Sequence, residues 1–140
     1  MAFEYRRVIR FHETDAAGVV YFANVLTLCH EAYEASLAAA DVDLTVYFSG
    51  QDVAVPVVHA SVDFRRPMRC GDAIAITLTP EQTQASTFEI CYRLHAADRL
   101  LATALTRHVC IEAATRQRTT FTPDLNRWLT RWSATAPADG

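Results

Sequence analysis

Apolar and polar residues alternate along the first stretch of the chain. Phe3, Tyr5, Ile9 and Phe11 point one way and Glu4, Arg6 and Arg10 the other, with Arg7 and Val8 out of step. A period of two predicts a half-buried strand. After a small, polar loop, HETDAAG, the period changes. Phe22, Val25, Leu26, Cys29, Tyr33 and Leu37 recur at steps of three and four, which predicts a helix from about residue 22 to residue 40. Ala35, Ala38, Ala39 and Ala40 favour that helix. Asn24, Thr27, Glu31 and Glu34 form its polar face.

Period two then returns. Residues 53–66 read as one strand, with Val58, Ala60, Val62 and Phe64 alternating with His59, Ser61, Asp63 and Arg65. Pro67 and Gly71-Asp72 mark a turn. Ile74, Ile76 and Leu78 define another strand, and Phe88, Ile90, Tyr92 and Leu94 a third. Leu101, Thr103, Leu105, Val109 and Ile111 continue the alternation beyond a hairpin turn at Asp98-Arg99. Residues 123–133 predict a short terminal helix with Pro123 at its start, and the tail SATAPADG is expected to fray. One long helix cannot connect several parallel strands. The expected architecture is therefore α+β, an antiparallel sheet of about five strands curled around one long central helix. It forms a single domain over residues 1–140.

Composition narrows the function. With 140 residues, 51% of them hydrophobic and 21% charged, the chain has a globular balance. A net charge of −3 without a dense basic run argues against nucleic acid as a partner. No stretch reaches membrane-spanning length, so no membrane partner is expected. The start MAFEYRRVIRF lacks a secretory h-region, and the four cysteines form no C-x-x-C pair, which points to a reducing cytoplasm. His108 and Cys110, even with His12 or His59, lack zinc-ligand spacing, so neither metal nor other cofactor is expected. Arg65, Arg66 and Arg69 cluster locally, as do Arg116 and Arg118. Such groups are either solvated surface or a landing point for a phosphorylated ligand.

The most informative segment is TDAAGVVYFAN, residues 14–24. An acid, Asp15, stands in a small-residue loop just before a helix start. Gly18 permits positive φ and close ligand approach. The first N–H groups of the helix have no intrahelical acceptor and can donate to an oxyanion. A carboxylate beside such donors suits hydrolysis. By itself Asp15 reads equally well as a loop or capping aspartate.

This segment resembles the signature of the 4-hydroxybenzoyl-CoA thioesterase branch of the hotdog superfamily, through Asp15, Gly18, Val19, Val20, Tyr21, Phe22 and Asn24. A second matching region contains Asp63, Phe64, Pro67, Gly71 and Asp72. The resemblance covers roughly residues 3 to 112. The runs VVYFANVLTLCHEAYEASL, VPVVHASVDF and TRHVCI are similar to cyanobacterial 1,4-dihydroxy-2-naphthoyl-CoA thioesterases, which act in phylloquinone or menaquinone biosynthesis. The resemblance implies hydrolysis of an acyl- or aroyl-coenzyme A with Asp15 as nucleophile or general base and the Phe22 backbone N–H polarising the carbonyl. It implies substrate contacts around Gly18, Val19 and Tyr21.

At position 30 the hydroxybenzoyl branch carries an aspartate that reaches the ring hydroxyl. Here stands His30, which argues against 4-hydroxybenzoyl-CoA itself and leaves a histidine to meet a naphthol hydroxyl or to pack locally. His59 and Ser61 are candidates to line a site shared across paired strands, and Arg65, Arg66 and Arg69 are candidates for the coenzyme A phosphates. Strand edges left open in a single chain predict a homodimer, and an exposed sheet face predicts a tetramer. Two alternatives remain open on the sequence: a thioesterase for other acyl-CoA or acyl carrier protein thioesters, and a non-catalytic acyl-binding module.

Overall fold

The computed structural model describes residues 2–134. Strand β1 (Phe3–Val8) leads through a 3-10 turn at Phe11–Glu13 to helix α1 (Phe22–Ala39) and a short helix α2 (Leu44–Tyr47). Strands β2 (Val53–Ala54), β3 (Val57–Phe64), β4 (Ala73–Gln84), β5 (Thr87–Ala96), β6 (Arg99–Val109) and β7 (Ile111–Glu112) follow, and helix α3 (Pro123–Trp132) closes the order. Five strands form one antiparallel sheet in the order β1-β4-β5-β6-β3, while β2 and β7 pair separately. The expected sheet around a central helix is present, with α1 eighteen residues long. The expectation of a fraying tail falls mostly on residues 135–140, outside the described residues.

The core lies between α1 and the inner face of the sheet. Val25, Leu28, Cys29, Ala32, Tyr33, Ser36 and Leu37 are the buried residues of α1. The stripe is rotated from the expected one: Leu28 is fully buried, while Phe22 is half exposed at the helix start. Ile74, Ile76 and Leu78 of β4 and Phe88, Ile90, Tyr92 and Leu94 of β5 face inward as predicted.

Strand β6 corrects the reading. Its inward run is Ala102, Ala104, Thr106 and His108; of the expected series Leu101 and Val109 are buried, but Thr103 and Leu105 are only half-buried. The reason is volume. Leu94 pairs with Ala102, Tyr92 with Ala104 and Ile90 with Thr106, so small residues on β6 accommodate large ones on β5. A close-packed interior selects for summed volume, not for the hydrophobicity of each strand taken singly. Alternation in β1 also departs from expectation. Arg7 lies on the half-buried face with Phe3 and Tyr5, while Phe11 is 81% exposed in the 3-10 turn.

The single strand expected over 53–66 is divided. Pro56 has no N–H to donate, and the chain changes partners there: β2 pairs with β7 and β3 with β6. Likewise Ile111 leaves the β6 alternation to join β7. Strand β3 ends at Phe64, beyond which the Arg65 and Arg66 N–H groups both donate to Leu101 O at 2.8 and 3.0 Å. Helix α2 was not expected; Asp43 caps it, accepting from the N–H of Thr45 at 3.0 Å.

Helix α3 begins at Pro123 with Thr122 as its N-cap and buries Leu125, Trp128 and Leu129. It locks onto α1 through polar contacts. Trp128 Nε1 donates to Ser36 Oγ at 2.8 Å and Trp132 Nε1 to Ser36 O at 3.0 Å. Arg127 donates to Ala40 O and Asp41 O, each at 3.0 Å, satisfying carbonyls that the end of α1 leaves without intrahelical donors.

Candidate active site

The loop between the 3-10 turn and α1 is closed on itself. Thr14 bridges Val20, the Asp15 N–H donates to Val19 O at 2.9 Å, and the Gly18 N–H donates to Asp15 O at 2.9 Å. Gly18 sits at φ +80°, a left-handed conformation that other residues rarely adopt. One carboxylate oxygen of Asp15 accepts from the Ala17 N–H at 2.8 Å. The other has no protein partner among the described residues, and the side chain is exposed.

Helix α1 starts seven residues later. Its first two N–H groups, on Phe22 and Ala23, precede any intrahelical acceptor, and no other acceptor reaches them among the described residues. Both also carry the positive end of the helix dipole. The Val20 N–H donates to Met68 O at 2.8 Å, which draws the segment after β3 across the loop. The result is an open cleft of about 460 Å³ lined by Asp15, Val19, Val20, Tyr21 and Phe22 on one side and Phe64, Arg65, Arg66, Pro67 and Met68 on the other. Neither Arg65 nor Arg66 has a carboxylate partner among the described residues. The cleft thus combines a carboxylate, unpartnered N–H donors and two free guanidinium groups, a set suited to a carbonyl carrying a polyanionic leaving group.

Of the expected residues, Asp15, Val19, Tyr21, Phe22, Arg65 and Arg66 therefore meet in one cleft, with Gly18 shaping the loop. Four others do not. Arg69 lies in the turn before β4, where its N–H donates to Asp72 Oδ2 at 2.8 Å. His59 and Ser61 pair with Arg107 and Leu105. Directly paired residues share a sheet face, so both lie on the face of the sheet opposite to that of Ala104 and Thr106 and do not line the Asp15 cleft of the single chain. Periodicity groups such residues on one face but does not say which face turns toward the helix. His30 stands two turns along α1 and does not line the cleft. Desolvation by the surrounding protein holds its imidazole pKa below the usual value.

A family model described as the thioesterase-like superfamily matches residues 9–129. The chain belongs to that superfamily. This thioesterase-family chain is 51% identical over 132 residues to the 1,4-dihydroxy-2-naphthoyl-CoA hydrolase of Trichodesmium erythraeum, a match covering 92% of this chain and 96% of the relative. It is 50% identical over 129 residues to the protein of that description from Nostoc punctiforme, covering 92% and 87% respectively. Among solved structures it is similar to a 1,4-dihydroxy-2-naphthoyl-CoA thioesterase from Synechocystis, with a TM-score of 0.87 and 39% identity over 92% of this chain and 96% of that one. The fold is the hotdog fold that the resemblance implied.

Sequence reasoning missed a buried residue beside this thioesterase cleft. Glu13, two positions before Asp15, is only 4% exposed. Burial by itself would raise its carboxyl pKa. The Arg7 guanidinium and the Arg10 N–H bonded to it reverse that effect and hold it below the usual carboxylate range. Its one sequence signal was Arg7, the charged residue out of step with its strand.

Proposed function

We propose that the chain hydrolyses 1,4-dihydroxy-2-naphthoyl-CoA to the free acid and coenzyme A, as a cytoplasmic step in phylloquinone or menaquinone biosynthesis. The observation that carries this reading is the meeting of Asp15 with the unpartnered Phe22 N–H in one cleft. The near-full-length relatives, described as acting on that thioester, supply the acyl group.

The thioester carbonyl oxygen accepts from the Phe22 N–H, which stabilises the charge that develops there; one such donor contributes about 3 kcal/mol in other enzymes. Asp15 then acts in one of two ways. It attacks the carbonyl carbon, the C–S bond breaks, coenzyme A leaves as thiolate, and water hydrolyses the resulting mixed anhydride. Alternatively, it takes a proton from the water that attacks. Both routes consume one water and release one carboxylic acid and one thiol. Gly18, Val19 and Tyr21 border the acyl group, and Arg65 and Arg66 face the coenzyme A phosphates. His30, further along α1, is the proposed partner of a ring hydroxyl. Its lowered pKa keeps the imidazole neutral near pH 7, able to donate from one nitrogen or accept at the other.

The assembly we propose is a homodimer, paired into a tetramer. It is supported by β3, an edge strand with Val57, Val58 and Phe64 exposed at 41%, 56% and 44%. Open edges of this kind are ordinarily covered. Light scattering tests the assembly, and a stable monomer at micromolar concentration contradicts it.

Thiol release from 1,4-dihydroxy-2-naphthoyl-CoA, benzoyl-CoA and a short aliphatic acyl-CoA tests the activity. The naphthoyl ester should be cleaved fastest, and Asp15→Asn should lose at least about a hundredfold in kcat. Faster cleavage of the aliphatic ester removes the substrate assignment. Full activity in Asp15→Asn removes the catalytic one.

A further inference from the structure

The two groups that meet the thioester come from different segments. Asp15 belongs to a loop and the Phe22 N–H to a helix, and in solution nothing would hold their separation. We propose that Glu13, Asn24 and Arg7 form a clamp that sets the distance and angle between them, and that all three are positioning residues for the reaction. This inference rests on Asp15 and the Phe22 N–H acting as described above.

The clamp is built on one backbone carbonyl. Glu13 O accepts from the Tyr21 N–H at 3.1 Å and from Asn24 Nδ2 at 2.9 Å. It thereby ties the residue just before the loop to the first turn of α1. Asn24 makes a second contact, its N–H donating to Tyr21 O at 2.9 Å. That carbonyl and the Phe22 N–H belong to the same peptide unit. In a trans peptide the C=O and N–H point in opposite directions. Holding Tyr21 O on the helix side therefore aims the Phe22 N–H away from the helix, toward the cleft.

The Glu13 side chain fixes the other end. Its Oε1 accepts from Arg7 at 2.5 Å and from the Arg10 N–H at 2.8 Å. Arg7 reaches onward to Glu31 of α1 through Nε at 2.9 Å, and Tyr5 OH donates to the same carboxylate at 3.1 Å. One guanidinium thus cross-links β1, the Asp15 loop and α1. The Arg7 and Glu13 side chains are 12% and 5% exposed, so solvent competes little with the pair. None of the three residues lines the cleft, so the clamp acts through Asp15 and Phe22 and not on the substrate.

The test is steady-state kinetics of the full chain on 1,4-dihydroxy-2-naphthoyl-CoA, at a temperature where circular dichroism shows every variant fully folded. Asn24→Ala should lower kcat about 10- to 100-fold, the scale of an ångström-sized misplacement, with KM within about threefold because phosphate contacts are untouched. Asn24→Asp, isosteric but without the amide donor, should lose as much. Glu13→Gln, which keeps an acceptor for the Arg10 N–H, should retain more kcat than Glu13→Ala; where Glu13→Ala does not fold, Arg7→Lys against Arg7→Met gives the same comparison. Asn24→Ala together with Glu13→Ala (or Arg7→Met, where Glu13→Ala does not fold) within twofold of wild-type kcat, beside an inactive Asp15→Asn, would overturn the clamp. So would losses that track only the folded fraction. Activity surviving in Asp15→Asn would instead remove the reading on which the clamp rests.

Discussion

Two polar regions lie at different points along α1, and they are finished differently. At the N-terminal end, the Asp15 cleft holds groups without protein partners among the described residues: one carboxylate oxygen of Asp15, the Phe22 N–H and the guanidinium groups of Arg65 and Arg66. Further along, Tyr33, Tyr47, Tyr92, Thr106, His108 and Trp128 form a cluster in which polar atoms mostly satisfy one another. Tyr33 and Tyr47 share a hydrogen bond, Thr106 Oγ1 bonds Tyr92 OH at 3.2 Å and His108 Nε2 at 2.8 Å, and Trp128 bonds Ser36. The His108 ring stacks on Phe88 at 4.7 Å with the planes 7° apart. Burial raises the phenol pKa values of this cluster and lowers that of His108 to about 4. Each group there is therefore held neutral. Polar groups closed on one another specify a core, whereas groups left open at an accessible cleft are available to a ligand.

The contrast predicts that the cluster carries stability and the cleft carries turnover. Trp128→Ala gives the largest effect. It empties a fully buried ring site and removes the donor to Ser36 Oγ, which keeps its own bond to Tyr33 O, and should cost about 3–5 kcal/mol of unfolding free energy. Urea titration measures the loss, and kcat per folded molecule should stay at the wild-type value. A stability change below about 1 kcal/mol would break the comparison, since it would mean the cavity collapses without cost.

The same contrast explains what was legible in the sequence. Helix α1, β4 and β5 were readable because large apolar residues mark their inner faces at a constant period. The inner face of β6 was not, because Ala102, Ala104 and Thr106 are small to suit Leu94, Tyr92 and Ile90 across the sheet, and that partnership has no local signal. The site divides likewise. Asp15, Tyr21 and Phe22 lie in one contiguous motif, and Arg65 and Arg66 follow a second, so their meeting was foreseeable. Glu13 acts partly through its carbonyl, which every residue possesses, and Arg7 looked like a flaw in a strand. His59 and Ser61 show a different limit: alternation puts them on one face, but only the pairing with β6 says that this face is the outer one.

A pH titration separates the regions further. His108 falls from 6.5 to about 4 on folding, mainly through burial, with the nearby charge of His30 adding to it. Between those values the unfolded chain binds a proton that the folded chain does not. Stability is then fully present above pH 6.5 and is lost as pH falls toward 4, by about 3 kcal/mol across the window. The desolvated His30, also lowered, acts in the same direction. Glu13, whose carboxyl is depressed, loses its contribution at lower pH, below its ordinary 4.5. Urea midpoints at pH 7, 6 and 5 should therefore decline in the wild type and flatten in His108→Gln. Parallel declines in both proteins would show that His108 is not the group responsible.

The smallest effect belongs to the open side. Arg65 and Arg66 are exposed and pair with no carboxylate among the described residues, so replacing them leaves no buried charge behind and should barely alter stability. Their proposed task is to hold phosphate oxygens well away from the reacting carbonyl. Such contacts are the same in the ground and transition states, and losing them raises KM without lowering kcat. Exposed charge pairs are worth about 1 kcal/mol or less, so Arg65→Gln or Arg66→Gln should raise KM only about three- to fivefold. Salt sharpens the measurement, because at about 0.5 M the screening length is too short for exposed charges to act at a distance. The gap in KM between wild type and variant should then close. A gap that persists at high salt, or a fall in kcat instead, would mean that these arginines act on the orientation of the thioester itself, and the division between a binding rim and the reacting pair would have to be redrawn.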